Sequence, residues 1–264
     1  MDKLKKEFIR HCWFNNQEGV RDCLSRGVDV NTLNEYGNWS GLAISASENY
    51  PELLEIFLSH PQIKINIPSG LKRTALMDAC DGGNSAIVSR LLQVPGIEIN
   101  CQDKDGATAA HLACKTEIGR MLAETGRVDW NKGDKCGRTP LFSNLIFGNS
   151  AFVDFLVQQP HIDYNVRTTK GLTLAQAAVR GGLKCVETLS AQERCDCWNV
   201  PDMKGNTPIM EALKDGKTEI VEILLSCPRV DLNCRDKEGW SLLFRALENR
   251  KLGKKYMMII NHSS

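Results

Sequence analysis

Two polar markers recur along the chain, each placed against the same apolar positions. An asparagine closes an apolar–polar–apolar step at Asn31, Asn66, Asn100, Asn131, Asn165, Asn199 and Asn233, at intervals of 35, 34, 31, 34, 34 and 34 residues. A serine or threonine opens an apolar run at Ser40, Thr74, Thr108, Thr139, Thr173, Thr207 and Ser241. The spacing of both markers falls to 31 residues at the same repeat, so the two markers belong to one structural unit. A recurring spacing of 34 residues predicts a stacked array of repeats.

Residues 202–233 illustrate one unit. Gly205 indicates a turn, and Thr207 stands where a helix N-cap belongs, so its hydroxyl is expected to accept a backbone N–H of the first turn. Pro208 suits the first helical position because it has no N–H to leave unbonded. The apolar spacing of 209–213 and of 220–225 predicts two short helices. One such unit cannot bury its apolar stripes alone, whereas stacked neighbours can.

These units resemble the ankyrin repeat. The pattern D-x-x-G-x-T-P-L-x-x-A is matched best by DKCGRTPL at 134–141 and DMKGNTPI at 202–209, and a G-x-x-x-x-V-x-x-L-L pattern and an apolar-D-apolar-N step follow it. His111 in TAAHLA matches the structural histidine of the family's TPLHLA. The resemblance extends from about Lys5 to Ile260. It implies an all-α solenoid of stacked helix-turn-helix units with short projecting β-turns or hairpins.

The repeat markers predict a single array over residues 1–264. Residues 1–33 are expected to form an N-terminal cap repeat and 234–264 a C-terminal cap repeat, with internal repeats at 34–66, 67–100, 101–131, 132–165, 166–199 and 200–233. The short repeat, 101–131, has lost its Lys-Asp-Gly type of reversal after Lys115. It is either the least stable joint of the array or a repeat with a shortened loop. The recurring asparagine amides are expected to tie each turn to the preceding helix.

Composition limits the function classes. The formal net charge is +1, so the chain has no bulk electrostatic reason to bind nucleic acid or an acidic membrane. No segment approaches ~18 consecutive apolar residues, so we expect no membrane insertion. The eleven cysteines are odd in number and scattered, and Cys80 and Cys114 occupy positions that predict helical core. This usage is typical of a reduced, cytoplasmic or nuclear protein.

The sequence carries little catalytic or metal-binding chemistry. Cys195-Asp196-Cys197 is a lone C-x-C at a repeat end, which favours packing over a metal site. Gly82-Gly83 and Gly181-Gly182 fall between helices and are interpreted as reversals, not as phosphate-binding loops. We therefore expect no enzyme activity, no catalytic residue, no metal and no cofactor.

The resemblance implies a monomeric module that binds a protein partner through its row of projecting turns and the concave wall of its first helices. Twelve positions on these surfaces are candidate contacts, and they are Tyr36, Trp39, Arg73, Lys104, Lys135, Arg138, Phe147, Lys170, Arg180, Met203, Lys214 and Trp240. Trp39 and Trp240 could instead pack against the terminal repeats, and Trp130 and Trp198 are interpreted as packing. The cations from Arg73 to Lys170 suggest an acidic or phosphorylated partner segment, although Asp103, Asp105 and Asp134 reduce the net positive charge of this region.

Three functions follow from this interpretation. The first is an adaptor, scaffold or inhibitor without catalytic activity. The second is a targeting domain of a larger enzyme or signalling protein. The third is a reader of modified lysine, which requires two or three aromatic side chains that converge on one pocket.

Overall fold

The computed structural model of the protein describes residues 3–248, with side chains to residue 247. The chain divides into two compact units, which we call unit 1 (residues 1–135) and unit 2 (residues 136–264). Part of the predicted C-terminal cap repeat, from 249 to 264, lies outside the described residues. The single array across both units stays a prediction.

The described chain is built from short helices. Unit 1 contains α1 (Lys3–Trp13), α2 (Gln17–Ser25), α3 (Gly41–Ser47), α4 (Pro51–Leu58), α5 (Ala75–Asp81), α6 (Ser85–Leu92), α7 (Ala109–Leu112) and α8 (Thr116–Glu124). Unit 2 contains α9 (Pro140–Ile146), α10 (Ser150–Leu156), α11 (Leu174–Gly181), α12 (Leu183–Ser190), α13 (Pro208–Lys214), α14 (Thr218–Ser226) and α15 (Leu242–Glu248). Isolated β-bridges at Leu33–Ser40, Arg167–Thr173 and Arg235–Ser241 close turns. The predicted all-α repeat fold is therefore confirmed. None of the described helices is long and apolar enough to cross a bilayer.

Equivalent helices of successive repeats pack on one another. In unit 1, the odd-numbered helices α1, α3, α5 and α7 form one layer and the even-numbered helices α2, α4, α6 and α8 the other. In unit 2, α9, α11, α13 and α15 form one layer, and α10, α12 and α14 the other. Fully buried side chains such as Phe57, Leu76, Phe142 and Phe152 fill the space between helices. Each contributes roughly 1.5–3 kcal/mol, so stacking supplies the core that one repeat lacks.

Hydroxyl side chains cap most of the odd-numbered helices. Five hydroxyls accept the backbone N–H of the third helical residue at 3.1–3.4 Å, and they belong to Ser40, Thr74, Thr139, Thr173 and Ser241. A cap of this kind contributes about 1 kcal/mol. Thr207 is the N-cap residue of α13 as predicted, but its side chain makes no capping bond, and its hydroxyl lies 3.4 Å from the Cys234 thiol. Thr108 is held in a capping box with His111, which confirms a structural role for that histidine.

The shortened repeat has a different connection between its helices. Helix α7 has only four residues, and Ala113 and Lys115 have extended backbones where other repeats turn. The prediction of a core position for Cys114 is wrong, because the missing reversal leaves this side chain exposed, whereas Cys80 is buried as predicted. The Lys115 ammonium donates to the Gly83 carbonyl at 2.7 Å, which fastens the connection to the preceding repeat.

Four of the recurring asparagines, three in unit 1 and one in unit 2, join their repeat to the one that follows. The Nδ2 atoms of Asn31, Asn66, Asn100 and Asn199 donate to the backbone oxygens of Gln62, Gly96, Arg127 and Arg229 at 2.8–2.9 Å. Their Oδ1 atoms accept the N–H groups of Lys64, Glu98, Asp129 and Asp231 at 2.7–3.0 Å. The prediction that this amide binds the preceding helix is wrong, because two backbone groups of the next repeat face it instead.

Candidate partner-binding surface

The turns between repeats lie side by side within each unit. In unit 1, the N–H groups of Gly70, Lys104 and Lys135 donate to the carbonyls of Asn38, Leu71 and Asp105 at 3.2, 2.8 and 2.9 Å. In unit 2, the Thr169 N–H donates to the Cys136 carbonyl at 2.8 Å. We call residues 34–39, 69–73, 103–107 and 134–135 the unit 1 turn row, and residues 136–138, 168–172, 202–206 and 236–240 the unit 2 turn row.

Glycine permits this close contact between turns. Gly106 has a φ of +83°, which L side chains rarely adopt. A Cβ atom at this position would also lie 2.7 Å from the Lys135 nitrogen, so the neighbouring turn would have to move away. The turn row is therefore a built surface of each unit, held by backbone bonds.

Lysines occupy the tips of successive turns. The predicted contacts Lys104, Lys135 and Lys170 are all exposed. Lys72 and Lys204, which the sequence analysis missed, are exposed at the tips of two further turns. Aligning the repeats on their capping residue would have found both, because Lys72 then falls at the glycine position of the turn and Lys204 aligns with Lys170.

Aspartates at the start of the turns accept hydrogen bonds from backbone N–H groups of their own turns. Asp103 and Asp134 are buried. The Asp103 carboxylate accepts the N–H groups of Asp105 and Ala107 at 2.8 and 2.9 Å. Asp202 does the same for the N–H groups of Lys204 and Asn206, at 2.9 and 2.8 Å. Of the three acids that the sequence sets against the basic character of the row, only Asp105 is exposed at a tip, so the other two carboxylates are not presented to solvent beside the lysines.

Arg73 is surrounded by carboxylates. Its guanidinium lies 2.7 Å from Asp81, 3.8 Å from Asp78 and 3.7 Å from Asp103. With three carboxyl groups around one guanidinium, this place is not an anion site. Arg73 therefore differs from the lysines with which the sequence analysis grouped it.

Asp78 is the most perturbed member of this cluster. Its side chain is 3% exposed and its Oδ2 atom has no hydrogen-bond partner. Burial raises the pKa of Asp78 to about 7, against the attraction of Arg73, and the charge of Asp81 raises it further. The carboxyl thus changes charge near neutral pH inside the odd-numbered helix layer of unit 1.

The remaining charged candidates lie at the ends of odd-numbered helices of unit 2 or beside its first turn. Arg180 is exposed and donates to Glu211 at 2.6 Å, so its charge is also balanced within the protein. Arg138 is half-buried, and Lys214 is exposed at the end of α13. Among these three residues, Lys214 is the one lysine, and it is exposed.

The aromatic and apolar candidates differ in exposure. Tyr36 is 80% and Phe147 77% exposed, and Met203 is also largely exposed. Trp240 is partly exposed and stacks on Phe244, with ring centroids 3.7 Å apart. Large exposed side chains of these types are enriched at protein interfaces.

The other tryptophans pack within the protein. Trp39 is half-buried and meets Trp13 edge to face at 5.5 Å, so each ring fills the space beside the other instead of enclosing a cation. Trp130 and Trp198 are 8% and 1% exposed, which confirms that they are packing residues. Within residues 3–248, no three His, Cys, Asp or Glu side chains gather as a metal site would require.

The chain is similar to one known family and to several known proteins. The profile described as ankyrin repeats, in three copies, matches residues 8–103, 76–168 and 174–258. The chain is 28% identical to Rabankyrin-5 of Mus musculus over 191 residues, which are 66% of this chain and 16% of that protein.

Two further relatives differ in how much of them the chain covers. The chain is 30% identical over 212 residues to the ankyrin repeat and KH domain-containing protein mask-1 of Caenorhabditis elegans, covering 77% of this chain and 8% of mask-1. It is 26% identical over 179 residues to the probable 26S proteasome regulatory subunit p28 of Saccharomyces cerevisiae, covering 65% of this chain and 78% of p28. The chain therefore spans a small part of Rabankyrin-5 and mask-1, but most of p28.

Proposed function

The chain belongs to the ankyrin-repeat family, and on that premise we propose that it is a non-catalytic protein-binding module that holds an acidic or phosphorylated segment of its partner. Ankyrin repeats are in general protein–protein interaction modules. The role of this chain is that of an adaptor, scaffold or inhibitor. Its contacts are the lysine-tipped turn rows and the neighbouring ends of the odd-numbered helices.

One observation carries this proposal. Lys72, Lys104 and Lys135 are exposed on successive turns of unit 1, and backbone hydrogen bonds hold these turns together. A row of ammonium groups on a rigid frame suits the carboxylate or phosphate groups of an extended segment, because little conformational entropy of the backbone is lost on binding. Because Asp103 and Asp134 are buried, Asp105 is the acid of the three that is exposed beside these lysines.

The exposed apolar side chains supply the second part of the surface. Tyr36 lies on the unit 1 turn row, and Met203 and Trp240 lie on the unit 2 turn row. On each unit, such side chains would anchor a segment bound to that unit's turn row, while the lysines of the same row would set its charge preference. Arg73 is assigned a positioning role, because its three carboxylate neighbours balance its charge.

A charge-reversal experiment tests the proposal. The triple variant Lys72→Glu, Lys104→Glu and Lys135→Glu is compared with Lys5→Glu, Lys64→Glu and Arg120→Glu, which changes three exposed cations away from the turn row by the same total charge. Each purified chain is used for affinity capture from cell lysate at low and at high salt. The proposal expects partners that bind the native chain and the control variant, are lost with the turn-row variant, and dissociate as salt rises.

Other outcomes would contradict the proposal. Partners that both triple variants retain would place the binding surface elsewhere. Partners that resist high salt would argue against an acidic segment. Circular dichroism of all three chains separates loss of binding from loss of folding.

The lengths of the relatives favour a second candidate function, that of a targeting domain. Because the chain corresponds to only 16% of Rabankyrin-5 and 8% of mask-1, the array could serve as the targeting domain of a larger enzyme or signalling protein. Sequencing the full transcript would distinguish this from a self-contained module. A modified-lysine reader is less well supported, because Trp13 and Trp39 pack against each other.

A further inference from the structure

One joint between repeats in unit 2 lacks the asparagine bridge. At the next joint, Asn199 binds the Arg229 carbonyl and the Asp231 N–H, which stand four and two residues before Asn233. The same spacing would bring Asn165 to the carbonyl of Cys195 and the N–H of Cys197. Within the described part of the chain, Asn165 makes no such bridge. The Cys195 carbonyl instead accepts a hydrogen bond from the Arg229 guanidinium at 2.9 Å.

The two cysteine thiols meet at this joint. Their sulfur atoms are 3.0 Å apart, and both side chains are buried. The position two residues before the repeat asparagine is elsewhere occupied by an exposed polar residue, namely Asp29, Lys64, Glu98, Asp129, Asp163 or Asp231. Cys197 alone turns inward at this position among the described repeats. The two sulfurs are about 1 Å farther apart than in a disulfide, which measures about 2.05 Å.

The surroundings make the two thiols unequal. The hydrogen bond between the two thiols lowers the pKa of Cys195, helped by the positive charge of Arg229 and opposed by burial. The same hydrogen bond and burial raise the pKa of Cys197. Since the thiolate is the reactive form, the nearness of the Arg229 guanidinium, which donates to the Cys195 carbonyl, favours Cys195 as the nucleophile of the pair and Cys197 as the thiol that resolves it.

We propose that Cys195 and Cys197 form a redox modification site, which a hydroperoxide converts to an intramolecular disulfide. The Cys195 sulfur attacks the peroxide, the O–O bond breaks, and Cys195 becomes a sulfenic acid while one water leaves. The Cys197 sulfur then attacks the Cys195 sulfur, the S–O bond breaks, and a second water leaves. Two thiols and one hydrogen peroxide thus give one disulfide and two waters.

Formation of the Cys195–Cys197 disulfide would alter the contact with the following repeat. Arg229 donates to the carbonyls of Ser190, Gln192 and Cys195, so it holds the segment that carries the C-x-C. The disulfide would draw the Cys195 and Cys197 sulfurs together and move the Cys195 carbonyl relative to Arg229. Oxidation is therefore expected to act on the packing of α12 against α14.

Tryptic mass spectrometry tests the proposal on the native chain. Trypsin cuts after Arg194 and Lys204 and releases CDCWNVPDMK, which contains both thiols and no other cysteine. The folded chain is treated with hydrogen peroxide, then denatured and alkylated with N-ethylmaleimide. We expect this peptide to lose two hydrogen atoms and to take up no alkyl group until dithiothreitol is added. A peptide that carries two alkyl groups, under conditions that oxidise the exposed Cys114, would overturn the proposal.

Variants test the order of the two steps. In Cys197→Ser, the sulfenic acid of Cys195 cannot be resolved, so labelling of Cys195 by dimedone should rise above that of the native chain. Cys185→Ser removes a buried thiol of the nearby α12 and should leave disulfide formation unchanged. Equal dimedone labelling of the native chain and Cys197→Ser would show that Cys197 does not resolve Cys195.

Discussion

Replacing Asn199 with alanine removes both hydrogen bonds that join its repeat to the next repeat in unit 2. The bonds measure 2.8 Å to the Arg229 carbonyl and 2.7 Å from the Asp231 N–H. Asn165 offers a matched control, since it has the same place in its repeat, is also exposed, and makes no such bridge within the described residues. The pair of variants therefore isolates the bridge from the general effect of an asparagine-to-alanine change.

The expected loss follows from the two bonds. Each contributes about 1 kcal/mol net, so the free energy of unfolding should fall by about 2 kcal/mol in Asn199→Ala. Because Asn199 is exposed, water can partly replace the lost partners, and the loss should lie toward about 1 kcal/mol if that replacement is good. Asn165→Ala should change the free energy of unfolding by no more than about 0.5 kcal/mol.

Urea unfolding followed by far-ultraviolet circular dichroism measures both variants. The dependence of the unfolding free energy on urea should stay the same, because the exposed area does not change. Repeat arrays can lose cooperativity, so hydrogen exchange at Asp231 provides a local readout of the same bond. Equal losses in both variants, or a loss below about 0.5 kcal/mol in Asn199→Ala, would refute the role assigned to the bridge.

Three further changes have defined outcomes. Lys72 has a φ of +56°, so Lys72→Gly should raise the urea midpoint by an amount equivalent to about 1 kcal/mol, and an unchanged midpoint would argue that this backbone is not strained. In the unfolded chain Asp78 loses its proton above about pH 4, whereas in the folded protein the carboxyl keeps its proton to about pH 7. The free energy of unfolding should therefore fall as the pH rises from about 4 to about 7, and it should stay level above that range. Asp78→Asn should abolish that slope, and a slope unchanged in the variant would assign it to other groups. Amides of α7 should exchange faster than those of α5, because α7 has four residues, and equal protection would reject the weak-joint hypothesis.

The repeat fold was predictable because its signals are local. A capping hydroxyl, a turn glycine and apolar helix positions each act within a few residues, and they recur often enough to fix the period. The errors in predicting hydrogen bonds arose where a neighbouring repeat offers another partner for a side chain. The Thr207 hydroxyl contacts the thiol of Cys234, which lies one repeat further along, and makes no bond to a backbone N–H of its own helix.

The candidate surface was only partly predictable. Lysines such as Lys104 and Lys170 could be found from the turn pattern alone. The ion pair of Arg73 with Asp103 could not, because Asp103 belongs to the following turn, and its approach depends on how the repeats stack. Lys72 was missed for another reason, since it replaces the glycine that marks the other turns.

The asparagine bridge has a consequence for how such a chain can change over evolutionary time. The bonded carbonyls belong to Gln62, Gly96, Arg127 and Arg229, which are of three different residue types. Each bridge recognises main-chain atoms only, so it acts as a standard connector that is indifferent to the sequence it meets. A repeat could be duplicated, deleted or exchanged at these connectors, and its outer surface could diversify toward a new ligand while the attachment stayed the same.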